Sequence, residues 1–350
     1  MQEENKENII SKKKQTYPIH RDLRHYLRQN RRVEDMPCLY KDLKHYSFSV
    51  PFVDSAGNDT LWETVFYSES DRREIHGALT AIYGILKAAG DTSFMEHLSV
   101  DRIDYCTFGN SNPFRIRIIN NFNDNYDYYY VKIADASRIY GLELEHILSP
   151  NRINYFVCKD TLIEEHIAGI PGDQFIQRHF NNANLNETRI AKEFIKFNER
   201  CFVKLLGDMR AYNFVIDVTP DFDDTQYRIR AIDFDQQCYE GHKNMYMPHF
   251  FKENRPFVQL CIKRINAETT RQYQHEEHAL IANRMKTSKF RLNELFDVMV
   301  HDHISTPAKI DTLKNELAQH YQSDQFLRCQ TMGQIVKTSL LLIVKKSNLH

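Results

Sequence analysis

Residues 207–235 read GDMRAYNFVIDVTPDFDDTQYRIRAIDFD, and this stretch carries the most specific pattern in the chain. An acid and an amide, Asp208 and Asn213, stand five positions apart, and the apolar run FVI follows directly. A polar turn then leads to a second apolar-flanked acid, Asp233, twenty positions after Asn213. The pattern therefore places an acid and an amide before an apolar run and a second acid near the end of the segment.

This segment resembles the catalytic loop and metal-binding segment of the protein-kinase-like phosphotransferases, D-x-x-x-x-N followed by a strand pair and I-D-F. The resemblance implies that Asp208 orients the acceptor hydroxyl or accepts its proton. It also implies that Asn213 binds Mg²⁺ and that Asp233 bridges Mg²⁺ to the β- and γ-phosphates of ATP. Asp235 stands where the family has glycine, and a role as a second ligand stays open. Arg210 either steadies a phosphate or an acidic substrate, or it forms a salt bridge.

The composition is that of a soluble globular protein with one large domain or two lobes. The chain has 350 residues, of which 42% are hydrophobic, and its formal net charge of −1 gives no reason to expect a nucleic-acid partner. The seven cysteines include no C-x-x-C, which predicts reduced thiols in a cytoplasmic protein. The apolar runs are too short to cross a bilayer, so we expect no membrane partner. The oligomeric state stays open.

The order of predicted elements indicates four parts. Residues 1–18 are polar and predict a disordered tail, and residues 19–100 an N-terminal extension. Residues 101–167 predict a small β-rich lobe, and residues 168–350 a helical lobe that holds the catalytic loop. Three strands, a helix and two strands precede the helical half, as in the two lobes of the kinase-like fold. The predicted class is therefore α+β, a bilobal protein-kinase-like fold with an N-terminal helical extension.

Runs of β-branched and aromatic residues, separated by Asn, Gly, Asp and Pro, set the predicted strands, and helical spacing sets the predicted helices. The strands are Asp104–Phe108, Phe114–Ile119, Tyr128–Ile133, Ile153–Cys158 and Thr161–Ile167, and the main helices are Ser137–Leu148 and Thr188–Leu206.

Lys132 ends the third predicted strand in the sequence V-K-I, directly before a predicted helix. This is similar to the V-A-I-K strand of the family, whose lysine reaches the α- and β-phosphates of ATP. The resemblance also implies a carboxylate on the following helix that holds the lysine. Glu143 and Glu145 are the candidates, and they lie about 200° apart around a helix, so only one can face the lysine. Glu145 is preferred because it stands in the family pattern E-x-x-L.

The segment LIEEHIAGIPG, residues 162–172, resembles the interlobe hinge of the aminoglycoside- and choline-kinase-like branch. The resemblance implies that backbone groups of Glu164, Glu165 and His166 pair with adenine. The alternative is a plain strand followed by a Gly-Pro turn. A glycine-rich loop is absent, and Gly109 is the one glycine of the turn FGNSNPF, whose backbone amides would cap the phosphates.

Three departures separate the chain from the Ser/Thr/Tyr protein kinases. Leu206 stands where the family has a histidine, the glycine-rich loop is absent, and no A-P-E follows. These departures favour an ATP- and Mg²⁺-dependent phosphotransferase that acts on a hydroxyl of a small molecule or an atypical acceptor. One alternative is a pseudokinase that serves as a nucleotide-binding or protein-interaction module. Another is an unrelated α+β interaction protein in which the motifs are coincidental. The presence of Lys132, Asp208, Asn213 and Asp233 together favours activity.

Overall fold

The computed structural model of the chain describes residues 14–54, 57–88, 95–108, 111–220 and 225–347. The chain divides into a first unit, Met1–Asp135 with Ile153–His166, and a larger second unit, Ala136–Arg152 with Ile167–His350. The first unit is built on an antiparallel sheet, and the second unit is mainly helical. The predicted α+β class, with a small β-rich lobe and a larger helical lobe, is confirmed.

The first unit contains a seven-stranded antiparallel sheet in the order β1-β2-β3-β4-β5-β7-β6. Its strands are β1 (Phe48–Val53), β2 (Asp59–Phe66), β3 (Leu98–Cys106), β4 (Phe114–Asn120), β5 (Tyr126–Ile133), β6 (Tyr155–Cys158) and β7 (Thr161–Glu165). Successive side chains of a strand point to opposite faces. On β5, Tyr129 and Val131 therefore enter the hydrophobic core, while Tyr130 and Lys132 share the other face. The five strands predicted from the sequence are confirmed, with ends shifted by a few residues.

Helix α3 covers one face of this sheet. The first unit has the helices α1 (Arg21–Gln29), α2 (Tyr40–Leu43) and α3 (Glu69–Ala88). Leu79, Ile82 and Leu86 of α3 follow helical spacing and are buried in the core with the strand residues Ile103 and Ile116. Burial of such side chains stabilises the unit by about 1.5–3 kcal/mol each. The core therefore fixes β3, β4 and β5 beneath one helix.

The predicted N-terminal extension takes part in both edges of this sheet. Strand β2 pairs with β3, and β1 pairs with β2, so the sheet is extended on that side. At the other edge, Val33 forms a parallel bridge with Val157 of β6. The structure thus refines the prediction of a helical extension over residues 19–100, because the segment supplies strands as well as helices.

The predicted disordered tail also needs a correction. Residues 1–13 lie outside the described residues, but Lys14 is buried and its Nζ lies 2.7 Å from Asp135 Oδ1. The backbone N–H of Tyr17 donates to the other oxygen of Asp135, at 2.8 Å. A lysine run reads as solvated in a sequence, whereas this lysine is held by a buried carboxylate. The tail therefore does not extend to residue 18.

The second unit contains eight described helices and a three-stranded sheet. They are α4 (Ala136–Leu148), β8 (Ile170–Pro171), α5 (Gly172–His179), α6 (Glu187–Lys204), β9 (Phe214–Pro220), β10 (Thr225–Ala231), α7 (Arg255–Arg264), α8 (Ala267–Thr287), α9 (Lys289–Met299), α10 (Pro307–Tyr321) and α11 (Met332–Ser347). The two main predicted helices correspond to α4 and α6 and are confirmed. Across the described residues, no helix has the length and apolar character needed to span a membrane.

An aromatic cluster fixes the start of β9 on the helices. Phe214, the first residue of β9, is fully buried and lies 5.1 Å from Phe197 and 5.7 Å from Phe257, between ring centroids. Phe257 in turn stacks on Phe194 of α6 at 5.1 Å. Aromatic pairs at such distances contribute beyond their buried area. The residues immediately before Phe214 are thereby held against the helical core.

Gly172 lets α5 approach residues 211–214 closely. A Cβ atom at this position would lie 2.5 Å from the carbonyl oxygen of Ala211 and 2.5 Å from Cε2 of Phe214. Backbone and a packed aromatic ring cannot move aside easily, so an added methyl group overpacks the site. Glycine is therefore required here for close approach.

We expect Gly172→Ala to destabilise the protein by about 1–3 kcal/mol because it forces α5 away from the loop. Urea denaturation of both variants measures the effect. Gly77→Ala is the control, because its Cβ meets nothing within 4 Å on the exposed side of α3. That substitution should stabilise by about 0.5–1 kcal/mol. Equal effects of the two substitutions would contradict the close packing.

Candidate functional site

The β9–β10 hairpin brings Asn213 and Asp233 to the same end. Phe214 pairs with Ala231 in the antiparallel register. The backbone N–H of Ile232 donates to the carbonyl of Asn213 at 3.0 Å, which continues the pairing by one residue. Asp233 is the next residue along the chain. The two predicted metal ligands, twenty positions apart in sequence, therefore lie at one end of one strand pair.

Asp208 is joined to the same end through Asn213. The Nδ2 of Asn213 donates to the carbonyl of Asp208 at 2.7 Å. The backbone N–H of Asp208 donates to the carbonyl of Met245 at 3.0 Å. Asp208 has a φ of 57°, in the left-handed region that costs energy for a residue other than glycine. Such a conformation persists because the surrounding bonds hold it. The structure thus groups Asp208, Asn213 and Asp233 by backbone geometry.

Arg210 bridges Asp208 to a second acid. Its Nε lies 2.8 Å from Asp208 Oδ1, and its Nη1 lies 3.1 Å from Glu253 Oε1. Burial raises the pKa of the Asp208 carboxyl above its ordinary value, and Arg210 acts in the opposite direction. Of the two alternatives for Arg210, the structure forms the salt bridge. A carboxyl with a raised pKa is better suited to accept a proton than an ordinary aspartate.

Asn254 is a supporting residue that the sequence reasoning missed. It is fully buried, and its Nδ2 donates to the carbonyls of Met209, at 2.8 Å, and Pro248, at 2.7 Å. Met209 follows Asp208 directly, so Asn254 ties the loop at residues 208–213 to the segment before α7. A single asparagine far from the motif offers no signal in the sequence. Its contact is evident only from the fold.

Arg138 of α4 holds the acids of the I-D-F-D segment. Its Nη2 lies 2.5 Å from Asp233 Oδ1, and its Nε lies 2.6 Å from Asp235 Oδ1. The backbone N–H of Asp235 also donates to Asp233 Oδ1, at 3.2 Å. Asp235 is therefore bound by an arginine. A metal ion at this carboxylate would have to compete with the guanidinium group. Arg138 was not predicted, because one arginine in a helix usually lies in solvent.

The chemistry of Asn213 and Asp233 fits a Mg²⁺ ion. Mg²⁺ takes hard oxygen ligands and keeps several waters, so one carboxylate and one amide oxygen suffice when phosphates supply the rest. The donor end of the Asn213 amide is bound to Asp208, which leaves its oxygen as the group to face a metal. Asp233 remains about one-third exposed. Within the part of the chain that the structure describes, no cluster of three or more His, Cys, Asp or Glu could hold a metal.

Lys132 is held by a carboxylate of its own sheet. Strands β5 and β7 pair so that Tyr130 faces Glu164 and Lys132 faces Leu162. The diagonal pair Lys132 and Glu164 therefore shares one face, and Nζ lies 2.5 Å from Oε2. Both side chains are buried. The predicted phosphate-binding lysine is therefore paired with a glutamate of the neighbouring strand.

The helix glutamates have other partners, which corrects the predicted pair. Glu145 forms a buried ion pair with Lys204 of α6. Burial acts to raise the pKa of Glu145, but Lys204 holds that pKa below its ordinary value. Glu143 is fully buried, and Arg291 of α9 donates to both its oxygens at 2.8 Å. Helix α4 is buried on nearly all sides, so its acids need cations from neighbouring helices.

The structure gives the backbone of two of the predicted adenine contacts partners within the sheet. Strand β7 lies between β5 and β6 in the sheet, so the backbone of Glu164 is part of the ladder. The N–H of Glu165 donates to the carbonyl of Asn154 at 3.0 Å. His166 is the first residue beyond the strand, and its Nδ1 lies 3.3 Å from the hydroxyl of Tyr130. Gly109, the other predicted nucleotide-binding residue, lies outside the described residues.

No protein-family model matches the chain, and no curated protein matches it. Among solved structures it is similar to the Rio2 kinase of Chaetomium thermophilum, determined as an ADP/Mg²⁺-phosphoaspartate complex. The sequence identity is 8%, the TM-score is 0.31, and the alignment covers 87% of this chain and 82% of that chain.

We expect Lys132 to be coupled to Glu164 and not to Glu145. In a double-mutant cycle of Lys132→Met and Glu164→Gln, the coupling energy should be about 1–3 kcal/mol, because the charges are buried and in contact. The cycle of Lys132→Met and Glu145→Gln should be additive within about 0.5 kcal/mol, since Glu145 is paired with Lys204. Urea denaturation measures both. A larger coupling with Glu145 would restore the original prediction.

Removing Arg210 should raise the pKa of Asp208 further. The guanidinium lowers this pKa by its charge and hydrogen bond, so Arg210→Met removes an opposing effect and leaves burial. The titration of the Asp208 carboxyl, followed by ¹³C NMR of aspartate-labelled protein, measures the change. Arg255→Met, at an exposed arginine of α7, is the control and should leave the titration in place. A lower pKa in Arg210→Met would refute the assignment.

Proposed function

We propose that this protein is an ATP- and Mg²⁺-dependent phosphotransferase that transfers the γ-phosphoryl group to a hydroxyl of a small molecule or an atypical acceptor. The observation that carries the proposal is the grouping of Asp208, Asn213 and Asp233 at one end of the β9–β10 hairpin. A general base, an amide oxygen and a carboxylate gathered at one end of a strand pair are protein groups that phosphoryl transfer uses.

Each residue has a defined role in this proposal. The hydroxyl oxygen of the acceptor bonds to the γ-phosphorus while Asp208 accepts the hydroxyl proton. ADP leaves with the electrons of the broken P–O bond. Asn213 and Asp233 hold Mg²⁺, which neutralises the phosphate charge when it is bound. In the first unit, Lys132 is proposed as a phosphate-binding cation by its resemblance to the V-A-I-K lysine, and Glu164 fixes its position. The rate enhancement comes chiefly from positioning and charge neutralisation.

A pseudokinase that binds nucleotide without turnover is the second candidate. One observation favours it, because arginines contact both acids on which chemistry depends. Arg210 contacts Asp208, and Arg138 contacts Asp233. In such a protein the same groups would bind nucleotide and stabilise a fold that partners recognise. Turnover separates the two candidates.

We expect ATP with Mg²⁺ to raise the melting temperature of the wild-type protein, because a ligand that binds only the folded state stabilises it. Asp233→Ala should abolish the shift, because it removes a metal ligand. Asp217→Ala is the matched control, as Asp217 lies on the same hairpin, within β9. Absence of a shift in the wild type would count against both candidates.

We expect slow ATP hydrolysis by the wild type that falls by about 10²–10⁴ in Asp208→Ala, because general base catalysis contributes a factor of this size. Release of phosphate measures the rate, and nucleotide binding by thermal shift should be retained in the variant. Hydrolysis that persists unchanged in Asp208→Ala would remove Asp208 from the proposed mechanism. A protein that binds ATP but phosphorylates nothing in a broad panel of hydroxyl acceptors would be a pseudokinase.

A further inference from the structure

Arg138 neutralises two acids at once inside the second unit. It is almost fully buried, and its guanidinium reaches Asp233 with one nitrogen and Asp235 with another, at 2.5 and 2.6 Å. Side-chain nitrogens at these distances make strong charge-assisted bonds. The two aspartates stand two positions apart, and the bond from the N–H of Asp235 to Asp233 holds the residues close together. Without a cation, their carboxylates would therefore repel each other. Arg138 is thus the cation of this acidic segment.

One face of α4 is shaped to place this arginine. Ser137 Oγ donates to the carbonyl of Gln237 at 2.6 Å and lies 3.3 Å from the carbonyl of Asp235. Gly141, one turn later, lies so close to the segment that a Cβ would be 3.0 Å from the Cβ of Phe234. Residues at i and i+4 share a helix face. Three positions on this face therefore lie against residues 233–237. Two of them make polar contacts, and at the third the absence of a side chain allows the close approach.

We infer that Arg138 takes the place of a second metal ion, so that the nucleotide is accompanied by one divalent cation. This inference rests on the proposed function for the role of Asp233. The carboxylate of Asp235 is largely buried and engaged by Nε, so a divalent cation at Asp235 would meet the guanidinium charge. The same guanidinium contacts Asp233, but this carboxylate is about one-third exposed, so solvent screens the guanidinium charge more there and Asp233 keeps its proposed role with Asn213. Arg138 is a positioning residue that acts through the two aspartates.

Counting bound Mn²⁺ tests the inference on the full-length protein. Mn²⁺ accepts the same oxygen ligands as Mg²⁺ and can be followed by the electron paramagnetic resonance of the free ion. With a non-hydrolysable ATP analogue, the wild type should bind one Mn²⁺ per nucleotide, and Arg138→Met should bind two. Without nucleotide, Arg138→Met should bind Mn²⁺ about tenfold more tightly than the wild type, because the opposing charge is gone. Two Mn²⁺ per nucleotide in the wild type would overturn the inference.

Further variants keep the test decisive if Arg138→Met folds poorly. Arg138→Lys keeps the charge, but an ammonium cannot fork to two carboxylates, so Mn²⁺ binding should be intermediate. Arg138→Met with Asp235→Asn removes both charges and should return to one Mn²⁺ per nucleotide. Arg291→Met, which breaks the pair with the buried Glu143, controls for the loss of a half-buried arginine and should leave the count at one. A count of two in that control, or of one in both Arg138 single variants, would refute the inference.

The two proposals fail in different ways. If the wild type binds no nucleotide, the proposed function fails, while the titration with Mn²⁺ alone still compares Arg138→Met with the wild type. If the wild type binds nucleotide and Mn²⁺ but the Arg138 variants show unchanged Mn²⁺ binding, the inference fails and the proposed function stands.

Discussion

The antiparallel register of β9 and β10 is the constraint on which the candidate site depends. A shift of one residue would turn every side chain of a strand to its opposite face. The register is secured at its critical end, because Phe214 is fully buried among the aromatic rings of α6 and α7. Burial of Phe214 in the hydrophobic core thus also fixes the register that places Asn213 and Asp233. The packing of the second unit and the position of these two residues therefore depend on the same contacts.

Charge pairing is the second feature that the candidate residues of both units share. Lys132, Asp208 and Asp233 each have an ionic partner within their own unit, namely Glu164, Arg210 and Arg138. A buried charge without a partner costs several kcal/mol, so these partners make it possible to keep the groups ionised and in place. A ligand that binds one of these charged groups has to compete with the ionic partner of that group. The chemistry proposed for the site therefore depends on arginines and a glutamate as much as on the motif residues.

The sequence was most informative where structure is local. Apolar periodicity predicted the strands around Lys132 and the helices α4 and α6, and the motif spacing predicted that Asn213 and Asp233 flank a strand pair. The failures involve contacts between distant segments. The partner of Lys132 depends on β7 lying beside β5, which no local pattern encodes. A helix is expected to have a solvent face, but α4 is almost wholly buried, so Glu145 was assigned to the lysine although it serves to neutralise Lys204.

The location of Lys132 and Glu164 in one sheet has a consequence for regulation. When a lysine is held by an acid on a mobile helix, displacement of that helix can switch the pair off. Here the two residues stand on neighbouring strands whose backbone hydrogen bonds fix their separation. Breaking the pair by a backbone movement would require the sheet itself to open. The pair is therefore a permanent part of the folded unit, and displacement of a neighbouring helix would leave its two residues in contact.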